Sequence, residues 1–130
     1  MRKLLIFDLD GTILDSDLLI VLTWVKLYRK FAPDKKARLS KILTFSGPPL
    51  AQSVAEEFPR EDPQKTIAYY RRVSKRLYLQ YAQSFPGTRE CFEKAHGLGM
   101  KIAVNTNKIR SFASLSLKCC GLEDLVDLLV

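Results

Sequence analysis

The most constraining feature of the chain is a short stretch near its start. An apolar run, Leu4-Leu5-Ile6-Phe7, leads directly into Asp8-Leu9-Asp10-Gly11-Thr12-Ile13-Leu14-Asp15-Ser16. An unbroken apolar run bounded by a turn signal reads as a fully buried strand, of the kind found in parallel sheets. Two carboxylates then sit where that strand ends, with a Gly-Thr turn after them. In open α/β sheets, ligands bind in the crevice outside the carboxyl ends of the strands. Asp8 and Asp10 are two positions apart, so in an extended segment they point the same way. Such a pair can hold a divalent cation between hard oxygens. It can also divide nucleophile and acid/base duties between two carboxylates.

The remaining pattern says what the strand belongs to. From Ser16 the apolar spacing becomes helical, with Leu18, Leu22, Val25 and then Tyr28 or Arg29 recurring beside Val21 and Trp24. Ser16 or Asp15 can cap this helix, and Pro33 ends it. A short basic helix is expected over about residues 35–43, followed by the breaker Phe45-Ser46-Gly47-Pro48-Pro49. A helix opening at Pro49 runs to about Phe58. After a second Pro-rich break, a long helix reaches about Ala82, with Ile67, Tyr70, Val73, Leu77 and Tyr81 at spacings of three and four. Residues 16–82 thus form a four-helix insert without a strand pattern.

Phe85-Pro86-Gly87-Thr88 returns the chain to an alternating layout. A helix ending at Gly97 or Gly99 precedes a second strand over residues 100–105, and Thr106-Asn107-Lys108 stands at its carboxyl end. A helix over residues 109–119, closed by Gly121, leads to a third strand over residues 126–130. This order predicts an α/β fold: a Rossmann-like parallel sheet made by residues 1–15 and 83–130, carrying residues 16–82 as a helical cap.

Composition narrows the class. At 130 residues with 47% hydrophobic content, the chain suits one modest core. No apolar run approaches the ~18 residues that a membrane span needs. No signal peptide is read at the N-terminus, so a cytoplasmic protein is expected. Cys91, Cys119 and Cys120 do not form a disulfide or zinc pattern and read as buried thiols. The net charge of +7 is uneven: residues 15–86 hold 13 Lys/Arg against 7 Asp/Glu, whereas the rest holds 8 against 7. A basic cap over an acidic floor would suit a phosphorylated substrate, and a solvated basic helical surface would explain the same count. Arg71-Arg72 and Lys75-Arg76 read as solvated helix faces rather than a nucleic-acid surface, since no recognition motif accompanies them. His96, near a helix C-terminus, reads as structural.

The stretch Asp8-Leu9-Asp10-Gly11-Thr12-Ile13-Leu14-Asp15-Ser16 resembles motif I of the haloacid dehalogenase (HAD) superfamily, whose phosphatase branch carries Asp-x-Asp-Gly-Thr-x-x-Asp-Ser. The layout of strand, helical cap and return to the core resembles the same family along the whole chain. The return at Phe85-Pro86-Gly87-Thr88 and the cap loop Gly47-Pro48-Pro49-Leu50 resemble its phosphoglycolate phosphatase and pyrophosphatase subgroup. The resemblance implies that Asp8 is the nucleophile and Asp10 the general acid and base. It also implies that Mg²⁺ binds the Asp8 carboxylate and the Asp10 backbone carbonyl. Asp10 argues against the dehalogenase branch, which lacks a second aspartate there. Thr106 matches the motif II hydroxyl that contacts the transferring phosphoryl group, and it could otherwise cap the following helix. Asn107 could add a backbone N–H to the same oxygens, and Lys108 is a further phosphate-binding candidate.

The implied activity is Mg²⁺-dependent hydrolysis of a small phosphate monoester, most like phosphoglycolate phosphatase. The alternatives are a pyrophosphatase, a sugar-phosphate phosphatase or mutase, and an inert fragment or non-catalytic module that binds phosphate or a partner. The last is raised by a departure from the family. The motif III lysine and the motif IV acids have no counterpart downstream of Thr106; Glu123 and Asp124 precede the third strand and Asp127 stands at its start, too early in the topology. The chain is therefore expected to be the front part of a longer protein. One edge of the first strand would then be unpaired and an apolar sheet face uncovered, open to self-association.

Overall fold

The computed structural model describes residues 1–130. Three parallel strands form one sheet in the order β1 (Lys3–Phe7), β2 (Met100–Val104), β3 (Leu128–Leu129). Lys3 pairs with Met100 and Phe7 with Val104, so β1 and β2 are in register along their whole length. The six α-helices are α1 (Asp17–Phe31), α2 (Leu39–Ile42), α3 (Leu50–Glu57), α4 (Pro63–Tyr81), α5 (Thr88–Gly97) and α6 (Arg110–Cys119). The chain divides into two compact units. One comprises Met1–Ser16 and Tyr81–Val130, and the other Asp17–Gln80. The first holds the sheet with α5 and α6, and the second is wholly helical. The α/β class and the helical insert expected from the sequence are both present.

In the sheet unit, β2 is the central strand and the most deeply buried, with Ile102, Ala103 and Val104 at 2% exposure or less. Helix α5 packs against it, and Phe92 of α5 lies 5.0 Å from the Phe7 ring. Strand β1 is not the fully buried strand that its apolar run alone suggests, since Leu4 and Ile6 are 52% and 65% exposed, in line with the expected unpaired edge and uncovered face. The reason is topological: β1 has a single neighbour and stands at the sheet edge, with the face carrying Leu4 and Ile6 uncovered. The 3₁₀ turn at Glu123–Leu125 falls where a short turn is expected, and β3 is shorter than the expected 126–130 because Asp127 is in a bend.

The helical unit is organised around aromatics. Trp24, Leu27, Tyr28, Ile42, Val54 and Phe58 form its core. The Trp24 ring lies 4.3 Å from Phe45 and 5.5 Å from Tyr70, and Tyr28 meets Phe58 edge-on at 5.3 Å. The inward face of α1 is carried by Leu19, Thr23, Trp24, Leu27 and Tyr28, whereas Leu18 and Leu22 are exposed. The apolar pattern of α1 wraps most of the helix, and the large flat rings decide which side turns inward. Along α4, the expected stripe is at best half-buried, Tyr81 is exposed, and the fully buried positions are Thr66, Ser74 and Tyr78. The second helix is also shorter than its basic run predicts, because residues 32–38 form a loop before α2 and a 3₁₀ turn, Leu43–Ser46, follows it. Like charges at Lys35 and Arg38 oppose a helical turn there.

The cysteines correct another expectation. Cys91 and Cys119 are exposed, Cys120 is half-buried, and all three are free. Helix α5 turns Phe92 and Ala95 inward, which leaves Cys91 on its outer side. No helix is long and apolar enough to cross a membrane.

Candidate active site

Because β1 and β2 are adjacent and parallel, their carboxyl ends leave the sheet side by side. Asp8 follows the last residue of β1, and Thr106 comes two residues after β2. The Asn105 N–H donates to the Phe7 carbonyl at 2.9 Å, so the ladder continues to the point where the acidic stretch begins. Asp8 is exposed, and one of its oxygens accepts the Leu9 N–H at 2.8 Å.

The turn after Asp8 is held by its own backbone. The Ile13 and Leu14 N–H groups both donate to the Leu9 carbonyl, and the Gly11 N–H donates to Leu14. Gly11 has φ +80°, a left-handed conformation that a side chain would disfavour. The chain then joins the return segment, where Asp15 N–H donates to Gln83 and Phe85 N–H donates to Ile13. The apolar members of the stretch, Leu9, Ile13 and Leu14, are buried at 1% exposure or less. The apolar positions therefore anchor the loop in the core, with Asp8 and Asp15 exposed and Asp10 half-buried.

Asp10 is the most heavily engaged of these acids. Its Oδ1 accepts the Ser16 hydroxyl at 2.7 Å. Lys108 Nζ lies 2.9 Å from Oδ2 and 3.2 Å from Oδ1. The Lys108 ammonium also stands 4.5 Å from the centre of the Phe112 ring, a cation–π distance. Burial lowers the Lys108 pKa below its ordinary value, and the Asp10 carboxylate offsets only part of that effect. The Thr106 hydroxyl accepts the Lys108 N–H at 3.2 Å, a local turn that fixes the backbone leading to the lysine. Asn107 is exposed on the same turn.

The structure thus brings Asp8, Asp10, Thr106, Asn107 and Lys108 to one end of the sheet, and it adds Ser16. The sequence marks Ser16 as a helix cap and gives no direct sign of its hydrogen bond to Asp10. The available signal is its place in the motif, six residues after Asp10. The Asp10–Lys108 pair joins residues 98 apart in the chain. Local spacing carries no trace of it.

His96 and the late acids lie in other arrangements. The Asp127 carboxylate accepts the Ile102 N–H at 2.8 Å and pairs with His96 at 2.9 Å. Its pKa is lowered, first by the Ile102 hydrogen bond and then by His96. Asp124 pairs with Arg89 at 3.7 Å.

Mg²⁺ demands hard oxygen ligands and usually keeps several waters beside one or two carboxylates. The donor types at Asp8 and Asp10 fit that chemistry. Ser16 and Lys108 engage the Asp10 carboxylate, and the Asp8 carboxylate and Asp10 carbonyl are the oxygens that the family resemblance implies for Mg²⁺. No group of three or more His, Cys, Asp or Glu residues converges anywhere in the chain.

Comparison with known proteins gives this geometry its context. Residues 5–130 match the family model described as haloacid dehalogenase-like hydrolase. The chain belongs to the haloacid dehalogenase-like hydrolase family. Among similar proteins of that family, pyrophosphatase PpaX of Halalkalibacterium halodurans is 32% identical over 128 residues, covering 96% of this chain and 57% of that protein. Pyrophosphatase PpaX of Listeria monocytogenes is 25% identical over 126 residues, covering 97% of this chain and 58% of that protein. A predicted phosphatase of Clostridium acetobutylicum superposes with a TM-score of 0.82 at 28% identity, covering 98% of this chain and 60% of that one. A haloacid dehalogenase-like hydrolase of Streptococcus pneumoniae shares the fold, with a TM-score of 0.85 at 24% identity, 98% of this chain and 60% of the other. The chain spans somewhat more than half the length of the relatives it matches.

Proposed function

We propose that the chain carries the nucleophile-bearing part of a Mg²⁺-dependent phosphatase acting on a small phosphate ester or diphosphate. The observation that carries this reading is the convergence of Asp8, Asp10, Thr106 and Lys108 at the carboxyl ends of two paired strands. In the first step, an Asp8 carboxylate oxygen attacks phosphorus in line, and the bond to the leaving oxygen breaks. Asp10 enters this step as the protonated acid, gives that oxygen its proton and becomes the carboxylate that Ser16 and Lys108 contact. In the second step, Asp10 takes a proton from water, the water oxygen attacks the aspartyl-phosphate, and orthophosphate leaves Asp8 as a free carboxylate. Thr106 donates its hydroxyl hydrogen to a phosphoryl oxygen, Asn107 adds its backbone N–H, and Lys108 offers positive charge beside them. Ser16 and Lys108 hold the Asp10 carboxylate in one place between steps. Mg²⁺, when bound, would neutralise phosphoryl charge, and the Asp8 carboxylate and Asp10 carbonyl would hold it.

Pyrophosphate is the first substrate to test, because the relative at 32% identity is a pyrophosphatase. Phosphoglycolate is the second, because a structure sharing this fold at 23% identity is described as a predicted phosphoglycolate phosphatase. The three free cysteines suit a reducing compartment, in keeping with action in the cytoplasm. A non-catalytic phosphate-binding module is the second reading, favoured by the lack of any group of three His, Cys, Asp or Glu side chains.

The test is Mg²⁺-dependent phosphate release from pyrophosphate, phosphoglycolate and p-nitrophenyl phosphate. Turnover that disappears in Asp8→Asn supports the phosphatase reading. A folded chain that binds phosphate without turnover supports the non-catalytic one.

A further inference from the structure

The helical unit contains a concave site lined only by its own residues. It is an open cavity of about 590 Å³, within the usual range of small-molecule pockets. Its lining includes Lys35, Lys36, Arg38 and Lys41, against the single carboxylate of Glu57, a net of three positive charges. Ser40 and Thr44 add hydroxyls.

The floor of this cavity is built rather than incidental. Glu57 is 8% exposed, and its carboxylate accepts the Tyr28 hydroxyl at 2.7 Å and the Lys35 ammonium at 2.8 Å. Lys35 Nζ also donates to the Glu57 carbonyl at 3.2 Å. Lys41 approaches the same carboxylate at 3.8 Å and stands 5.8 Å from the centre of the Phe45 ring. Glu57 therefore holds Lys35 and Lys41 at the wall, and its charge is taken up in doing so. Lys36 and Arg38 are exposed and make no ion pair. The nearby acid, Asp34, is exposed and does not line the cavity.

We infer that this cavity binds a small anion carrying two or more linked phosphoryl groups. Several positive charges around one concavity match a multiply charged anion better than a single carboxylate. Lysine serves as a point charge for phosphate, and arginine adds a planar fork. An inorganic polyphosphate and the phosphate chain of a nucleotide share this chemistry. The site lies wholly within residues 28–57, so it stands or falls separately from the proposed phosphatase reaction.

The experiment is calorimetric titration of the full chain with inorganic tripolyphosphate, in buffer containing a chelator so that turnover is suppressed. Adenosine triphosphate is titrated separately. Saturable one-to-one binding is expected, and it should weaken as ionic strength rises. Asp8→Asn and Lys108→Gln should leave it intact. The double variant Lys36→Gln/Arg38→Gln, which removes no ion pair or cap hydrogen bond, should weaken it by about tenfold or more, whereas Lys75→Gln/Arg76→Gln on α4 changes it less than about twofold. Equal affinity for both ligands marks the phosphate chain as the recognised group, and tighter nucleotide binding marks a nucleotide. Absence of saturable binding overturns the proposal. So does equal loss in the two double variants, which would mean generic charge attraction, and so does loss in Lys108→Gln alone, which would place the ligand at the sheet.

Discussion

Lys108→Met deletes one ammonium and keeps an unbranched apolar stem, so it isolates the charge pair at the candidate active site. In the folded chain that ammonium lies 2.9 Å and 3.2 Å from the two Asp10 oxygens. The Lys108 side chain is 12% exposed and the Asp10 side chain 26%, which makes the pair partly buried. Exposed ion pairs contribute about 0–1 kcal/mol. Breaking a fully buried pair costs about 3–5 kcal/mol, mostly through the charge left behind. Here Asp10 would keep its Ser16 hydrogen bond and some solvent. The expected cost therefore falls between the limits, at about 1–3 kcal/mol. Urea unfolding followed by circular dichroism would measure it, for the parent, Lys108→Met, Asp10→Asn and the double variant. A coupling of about 1–2 kcal/mol between the two positions is expected, since they touch directly. A coupling below about 0.3 kcal/mol would refute the reasoning, because distant and independent sites add to that accuracy. It would mean that the pair does not hold Asp10 in solution.

Other perturbations address other parts of the molecule. Tyr28→Phe should destabilise the chain by about 1.5–3 kcal/mol at neutral pH, since it removes a donor from a buried carboxylate, and urea unfolding reads it directly. Burial alone would raise the Glu57 pKa, but the Lys35 and Tyr28 hydrogen bonds outweigh it and hold the carboxyl below its ordinary 4.5. That stabilisation is present above the unfolded value and is lost as pH falls through the lower folded value. Glu57→Gln should therefore flatten the acid limb of a stability–pH curve measured by thermal melting. Trp24→Ala should cost about 3–5 kcal/mol, because the ring is 2% exposed and the cavity it leaves is lined by other rings, and chemical denaturation measures the loss. Thr106→Val should lower phosphate release by roughly a hundredfold if its hydroxyl contacts the transferring group, with little change in melting temperature.

Features set by neighbouring residues are legible in the amino-acid sequence. The strand before Asp8, the turn at Gly11, the break at Pro33 and the opening of α3 after Pro49 all follow from local rules. The parallel placement of β1 and β2 follows from the helices between them. Burial is less legible. Leu4 and Ile6 have the composition of a central strand, yet exposure depends on what lies over them, and β1 has one neighbour. Leu18 and Leu22 fit a helical stripe as well as Leu19 and Leu27 do. Only the packing of Trp24 and Tyr28 decides between the two faces.

The same distinction governs the site. Asp8 and Asp10 can be singled out because their chemistry depends on a two-residue spacing, which the strand end provides by itself. Lys108 can be read only as a phosphate contact, because its position beside Asp10 depends on the register of β1 against β2. Ser16 reads as a cap because it stands just before α1, and the turn that folds it back onto Asp10 is held by Leu9, Ile13 and Leu14 in the core. Glu57 shows the effect most fully. In the sequence it is one of two adjacent glutamates on a short helix, and helical rotation turns Glu56 outward and Glu57 inward. Once inward, the carboxylate requires partners, and it finds Tyr28 and Lys35 on separate segments of the unit. That requirement draws Lys35 to the cavity wall and leaves Lys36 and Arg38 facing solvent. A buried acid thus gives the basic surface of this unit its shape.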